Sequence, residues 1–291
     1  MSTPDSSAAA TTAPGRVDAH VHHWAPSVKD WYPNLRRPDL SAINRDYLPE
    51  HYREDAAGQD IAAVVHVSAA ATPRSYLSEA LWLDEMAETT GWPAATIATV
   101  DPSLPWPEME ADLEALRRSP RLRGIRVLHG FDPKAPTADD LVRWLSDHEL
   151  VFDVVSHPSD AADHRELIER HPELTVAIEH ACWPTAGDDE HFKAWRQAIA
   201  GFAARPLTFC KISGLAMTFG TFDIDVQRPW IEACLDAFEP RRCMLASNFP
   251  VDRRFGSLAE LYDMYAAVAA HFSAAEQKAL FGDTARSVYR V

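Results

Sequence analysis

Residues 17–24 read Val-Asp-Ala-His-Val-His-His-Trp. Apolar and polar side chains alternate over the first six, which is the period of a β-strand, so His20 and His22 share one side of it. Two imidazoles at that spacing can hold one metal ion. The stretch is also the first of eight short apolar runs rich in β-branched residues. The others lie at 62–69, 94–101, 124–128, 151–157, 175–180, 208–214 and 243–250. Their starts are roughly 32 residues apart, close to the length of a βα unit in a barrel of about 250 residues. Between them run helical patterns. Met109, Leu113 and Leu116 fall on one face, as do Phe192, Trp195, Ile199 and Phe202. Ser75 is placed to cap a helix carrying Leu77, Leu81 and Trp82, and Gly91 to end it. Thr137–Asp140 and Ser273–Glu276 read as capping boxes. Strand–helix alternation repeated eight times implies a parallel sheet with covered faces, and eight units favour closure into a (β/α)8 TIM barrel, an α/β fold. An open doubly wound sheet fits less well, because no strand is followed by G-x-G-x-x-G.

The barrel is expected over residues 16–291. Residues 1–15, mostly Ser, Thr, Ala and Pro, read as a disordered tail with neither the basic nor the apolar region of a secretion signal. The stretch 25–58 reads as a long first βα loop plus a helix, with Trp31, Tyr32 and Pro33 able to cover the barrel mouth. The 291 residues carry 28 Lys and Arg against 43 Asp and Glu, a net charge of −15. That acid excess argues against nucleic-acid or anionic-membrane partners, and no apolar run approaches the roughly 20 residues of a membrane span. A small-molecule substrate is the expected partner, with homo-oligomerisation left open. Cys182, Cys210, Cys234 and Cys243 form no C-x-x-C and read as buried, reduced thiols of a cytoplasmic protein.

Barrel enzymes carry their chemistry at the C-terminal ends of the strands. There the chain places His20, His22, His157 and His180, with Arg126 and Lys211 inside strands and Asn248 near the end of the eighth. His51, His148, His164, His171, His191 and His271 fall in helices or connections and are expected at the surface, while His66 could face either way. Arg126 in an apolar strand must meet an anion. That anion is either a structural carboxylate such as Asp153 or Glu179, or a substrate oxygen.

These residues carry a resemblance. Val17-Asp-Ala-His-Val-His-His-Trp24, Gly124-Ile-Arg126, Ile178-Glu-His180, Cys210-Lys-Ile-Ser-Gly-Leu215, Arg242-Cys-Met-Leu-Ala-Ser-Asn-Phe-Pro-Val251 and Leu280-Phe-Gly-Asp-Thr-Ala-Arg286 resemble the amidohydrolase-2 branch of the amidohydrolase superfamily, most of all its lactonase-type members. The resemblance implies a metal site at His20, His22 and His180, for one divalent ion such as zinc or manganese, with His157 where metal-using members add a histidine. It implies catalytic roles for His180, Arg126 and the residue at position 248, and substrate contacts from Arg126, Lys211, His157 and Trp24. The family's strand-eight motif is usually Gly-Ser-Asp-Trp-Pro, whose Asp is the base. Here Asn248 replaces it, and a carboxamide has no basic site near neutral pH. The implied activity is hydrolysis of a small lactone or related cyclic ester, with or without metal. Because of Asn248 the alternatives are a metal-dependent decarboxylase of a small carboxylic acid, or a non-catalytic binding barrel.

Overall fold

The computed structural model describes residues 15–291, so the expected tail lies outside the described residues but for Gly15. All eight expected strands are present: β1 Arg16–Val21, β2 Ile61–Val67, β3 Ala95–Ala98, β4 Leu122–Arg126, β5 Val151–Val154, β6 Val176–Ile178, β7 Thr208–Ile212 and β8 Cys243–Leu245. They pair in parallel in sequence order. A bridge between Val21 and Phe249, with His22 N–H donating to Phe249 O at 2.8 Å and Asn248 N–H to His20 O at 2.9 Å, joins the last strand to the first. The architecture is the (β/α)8 barrel.

The strands are shorter than the apolar runs, because the residues past each ladder leave it to form the mouth. After β6, His180, Ala181, Cys182 and Trp183 all take positive φ, and after β8 Asn248 has φ 58°. Side-chain-bearing residues in that region cost about 1 kcal/mol or more each, so packing holds them there. A second departure lies in β1. Asp18 pairs with Val64 and Val21 with His66, three steps against two. Val17 and Ala19 point into the barrel with Val65, Val67, Ile97 and Met244. The extra residue then switches the face, so His20 and His22 also turn inward while Asp18 points out to Tyr52. Gly124 is required in β4, where a Cβ would meet Val151 O at 2.3 Å.

The lower end of the barrel is filled by the inward residues and closed by Ala285, Val288 and Tyr289 of the C-terminal helix Thr284–Tyr289. The outer helices pack through the expected stripes, with Met109, Leu113, Leu116, Trp195, Ile199 and Phe202 all buried. Gly91 ends its helix at φ 79°, and Ser273 and Glu276 form the expected capping box. Three helical expectations need correction. The helix Pro136–Asp147 starts with Pro136 at its first position and Ala135 as cap, so Thr137 lies inside it and caps nothing. The helix Tyr76–Thr90 buries Ala80, Leu83 and Ala87 and leaves Leu81 exposed, while the Ser75 hydroxyl pairs with Thr72. His164 is buried and stacks on Phe131. All four cysteines are free and buried. No helix among the described residues is long and apolar enough to cross a membrane.

Candidate active site

The mouth holds a chain of imidazoles whose protonation is fixed by their partners. His22 Nδ1 lies 2.7 Å from Val67 O, which can only accept, so the proton sits on Nδ1. Burial pushes the His22 pKa down to about 3, so the ring is neutral and Nε2 carries a lone pair. That lone pair faces His20 Nε2 at 3.2 Å and Asn248 Oδ1 at 3.3 Å. His20 therefore donates from Nε2 and keeps its lone pair on Nδ1. Nδ1 faces Glu179 Oε1 at 3.5 Å, and both atoms are buried without a hydrogen-bond partner among the described residues. Burial, then the neighbouring His180 and Lys211, hold the His20 pKa well below the usual imidazole range, so a proton does not readily bridge the two. A lone pair set against a carboxylate is the arrangement a bound cation would relieve.

His180 completes the group. Its ring centroid is 4.6 Å from that of His20, and its Nδ1 is 2.9 Å from Ser213 Oγ. A side chain at position 214 would strike this ring, its Cβ 2.5 Å from Nδ1, so Gly214 makes room for it. One ligand atom each from His20, Glu179 and His180 lies within 4.8 Å of the others, all buried, and the three could hold a metal ion. The donor set suits zinc or another divalent first-row ion.

Arg126 projects inward from β4. Its Nη1 donates to Glu179 Oε2 at 3.3 Å and its Nη2 to Ser68 O, while Nε has no partner among the described residues. Of the two carboxylates considered from the sequence, Glu179 is the one it meets. Asn248 Nδ2 donates to Asp252 Oδ1 at 2.9 Å, which turns the amide oxygen toward His22. Burial raises the Asp252 pKa to about 7. Asp18, though outside the barrel, clamps the site: it accepts from His20 N–H at 3.2 Å, Ser247 N–H at 2.9 Å and Tyr52 O–H at 2.7 Å.

Above these groups is a cavity of about 300 Å³. Its wall brings together His22, Trp24, Arg126, His180 and Asn248, with His20 just beneath. The long first connection supplies Tyr32, Leu35, Leu40 and Ile43 from two 3-10 segments, Pro33–Arg36 and Pro38–Ile43, and from the residue before them. Tyr32 thus covers the mouth as expected, whereas Trp31 turns away to Trp82. Two expected substrate contacts lie off this wall. His157 is half-buried beside Trp183, with Nδ1 3.2 Å from Trp183 O. Lys211 is fully buried in the barrel interior, where it pairs with Asp153, which also accepts from Tyr289 O–H at 3.0 Å. An ammonium in that position neutralises Asp153 two strands away, across the barrel interior, and reaches no solute. His66 faces outward and accepts from His23 N–H at 3.1 Å. Arg254 was not anticipated as a site residue, and Glu179 only as a carboxylate that Arg126 could meet.

The amidohydrolase family model matches residues 17–291. The L-fucono-1,5-lactonase of Burkholderia multivorans is 30% identical over 295 residues, covering 94% of this chain and 95% of that protein. The enzyme of the same name from Burkholderia ambifaria is 30% identical over 256 residues, 83% and 82% of the two chains. The crystal structure of an amidohydrolase from Burkholderia multivorans with bound zinc superposes with a TM-score of 0.83 at 28% identity, covering 95% of this chain and 99% of that one. With the family pattern spanning every strand of the barrel and its strand-end histidines gathered at one mouth, the chain belongs to the amidohydrolase family and is a hydrolase.

Proposed function

We propose that this hydrolase opens a small lactone by addition of water, at the cavity over His22, Arg126 and Asn248. The observation that carries the reading is the convergence of imidazoles, one carbonyl acceptor and one guanidinium on the floor of a mostly apolar pocket. A divalent ion, zinc or manganese, held by His20, Glu179 and His180, would supply a Lewis acid for the lactone carbonyl. The unpartnered His20 Nδ1 and Glu179 Oε1 support that fit. Arg126, held rigid by Glu179 and Ser68 O, stabilises negative charge developing on the carbonyl oxygen. In the free site the single lone pair of His22 Nε2 takes the His20 N–H; the attacking water replaces that donor on His22, and Asn248 Oδ1 accepts its second hydrogen. As its oxygen bonds to the acyl carbon, the proton passes to His22, the more basic of the two. When the ring C–O bond breaks, the same proton goes to the departing alkoxide. The burial that lowers the His22 pKa favours that second transfer. The products balance as one hydroxy acid. Asn248 thus takes a positioning part, and Asp252 fixes its orientation.

The test is acid release from a panel of five- and six-membered lactones, with zinc or manganese supplied, against wild type and His22→Gln. Turnover by wild type and a loss of at least about 10² in the variant supports the reading. Carbon dioxide release from carboxylic acids, with every lactone untouched, would overturn it in favour of decarboxylation.

A further inference from the structure

Three guanidiniums line the cavity: Arg37, Arg126 and Arg254. Two have carboxylate partners. Arg37 pairs with Asp39 at 3.1 Å on the exposed rim, and Arg126 pairs with buried Glu179. Arg254 pairs with no carboxylate among the described residues. Its Nε donates to Val251 O at 2.9 Å and its Nη1 to Asp39 O at 3.3 Å, both backbone carbonyls, leaving Nη2 uncommitted. It belongs to the short 3-10 segment Asp252–Arg254 beyond β8 and reaches across to the segment Pro38–Ile43, so it lies toward the mouth while Arg126 lies toward the floor. The rest of the wall between them is mostly apolar, with Trp24, Tyr32, Leu35, Ile43 and Trp183 among its side chains. Asp39 and Asp252 lie near enough to feel the charge of Arg254, but neither pairs with it directly, so this guanidinium has a free face for an anion in the pocket.

We infer that Arg254 sets specificity by holding a carboxylate carried on the substrate ring, so that the preferred substrate is an anionic lactone whose acid group points to the mouth while its acyl carbon lies on the floor. The inference rests on the lactone-opening reading for the reaction, though the anion subsite stands apart from it. A guanidinium gives a carboxylate two parallel hydrogen bonds, and a neutral isostere loses the charge-assisted part of both.

The probe pair is γ-butyrolactone bearing a γ-carboxylate and the same lactone bearing a γ-carboxamide. Wild type should favour the carboxylate by tenfold to a hundredfold in kcat/KM. Arg254→Met should collapse that ratio toward one, and Arg254→Lys should leave an intermediate ratio. A merely structural Arg254, tying Val251 to Asp39, would lower both substrates together and leave the ratio unchanged. That result, or a wild-type ratio near one, overturns the inference. Should wild type hydrolyse neither lactone, the lactone reading fails for this pair, and binding decides the subsite instead. Quenching of the cavity tryptophans Trp24 and Trp183 then reports the dissociation constant of each probe. Tighter carboxylate binding that Arg254→Met abolishes supports the subsite. Equal binding of both probes, or none, overturns it.

Discussion

Replacing Asn248 with Asp sets two carboxyl groups against each other, and the consequence can be worked from one distance. Asn248 Nδ2 now donates to Asp252 Oδ1 at 2.9 Å, and the substitution puts an oxygen in its place. Two ionised carboxylates at that separation repel by about 6 kcal/mol at an effective dielectric of about 20, the equivalent of about four pKa units. The pair therefore keeps one shared proton through neutral pH. Burial already outweighs the Asn248 hydrogen bond and the Arg254 charge and raises Asp252 to about 7, so the shared proton would leave only in the alkaline range. The folded state binds this proton more tightly than the unfolded chain. Its stabilising effect is complete at acid pH, below the unfolded value, and is lost as pH rises through the folded value. Wild type should thus lose stability between about pH 4 and pH 7 on account of Asp252, and Asn248→Asp should go on losing it above pH 7. At pH 6 the two proteins should melt within a few degrees of each other. At pH 9 the variant should be weaker by about 3–5 kcal/mol, on the order of 10 °C. Calorimetry across pH 5.5–9 measures this. The protonated pair offers no free base at pH 7, so restoring the family's usual residue should not raise the rate there. Asn248→Asp combined with Asp252→Asn rebuilds one donor and one acceptor with the carboxylate beside His22, and it should recover stability at pH 9. Equal melting of single variant and wild type at pH 9, or a double variant no better than the single, would refute the reasoning.

The metal assignment divides the two β1 histidines. Elemental analysis after dialysis should find zinc or manganese lost from His20→Ala and Glu179→Gln but kept by His22→Gln, and metal loss from His22→Gln alone would reverse the roles. Arg126→Met should lower kcat/KM by about 10²–10³ and also cut stability by several kcal/mol, because Glu179 is left buried without its partner. Adding Glu179→Gln should return much of the stability and none of the activity; an Arg126→Met protein as stable as wild type would show that the pair is energetically idle. Lys211→Met should cost about 3–5 kcal/mol by stranding Asp153, and Lys211→Met with Asp153→Leu should come back to near wild type in a denaturant titration. A single variant that unfolds at the wild-type midpoint would contradict that account.

What the sequence determined by itself is the part of the molecule governed by nearest neighbours along the chain. Eight apolar runs at near-even spacing, with helical stripes between them, prescribe eight strands and their covering helices, because side-chain periods of 2 and 3.6 are properties of the local backbone. Closure followed from the count, and with it the gathering of His20, His22, His180, Arg126 and Asn248 at one mouth. The residues past each ladder were read as strand because their apolar pattern continues, although the backbone turns at His180 and Asn248 through positive φ. Tertiary structure decided the rest. Strict alternation puts His20 and His22 on the face opposite Val17 and Ala19, and only the register shift against β2 brings all four inward. Charge pairing was equally out of reach. Arg126 meets Glu179 across 53 residues and Lys211 meets Asp153 across 58, so one guanidinium stays on the cavity wall and the ammonium disappears into the core. A sequence states that a buried charge needs a partner. Which partner it finds depends on distances through space of 3–4 Å, and those exist only once the barrel has closed.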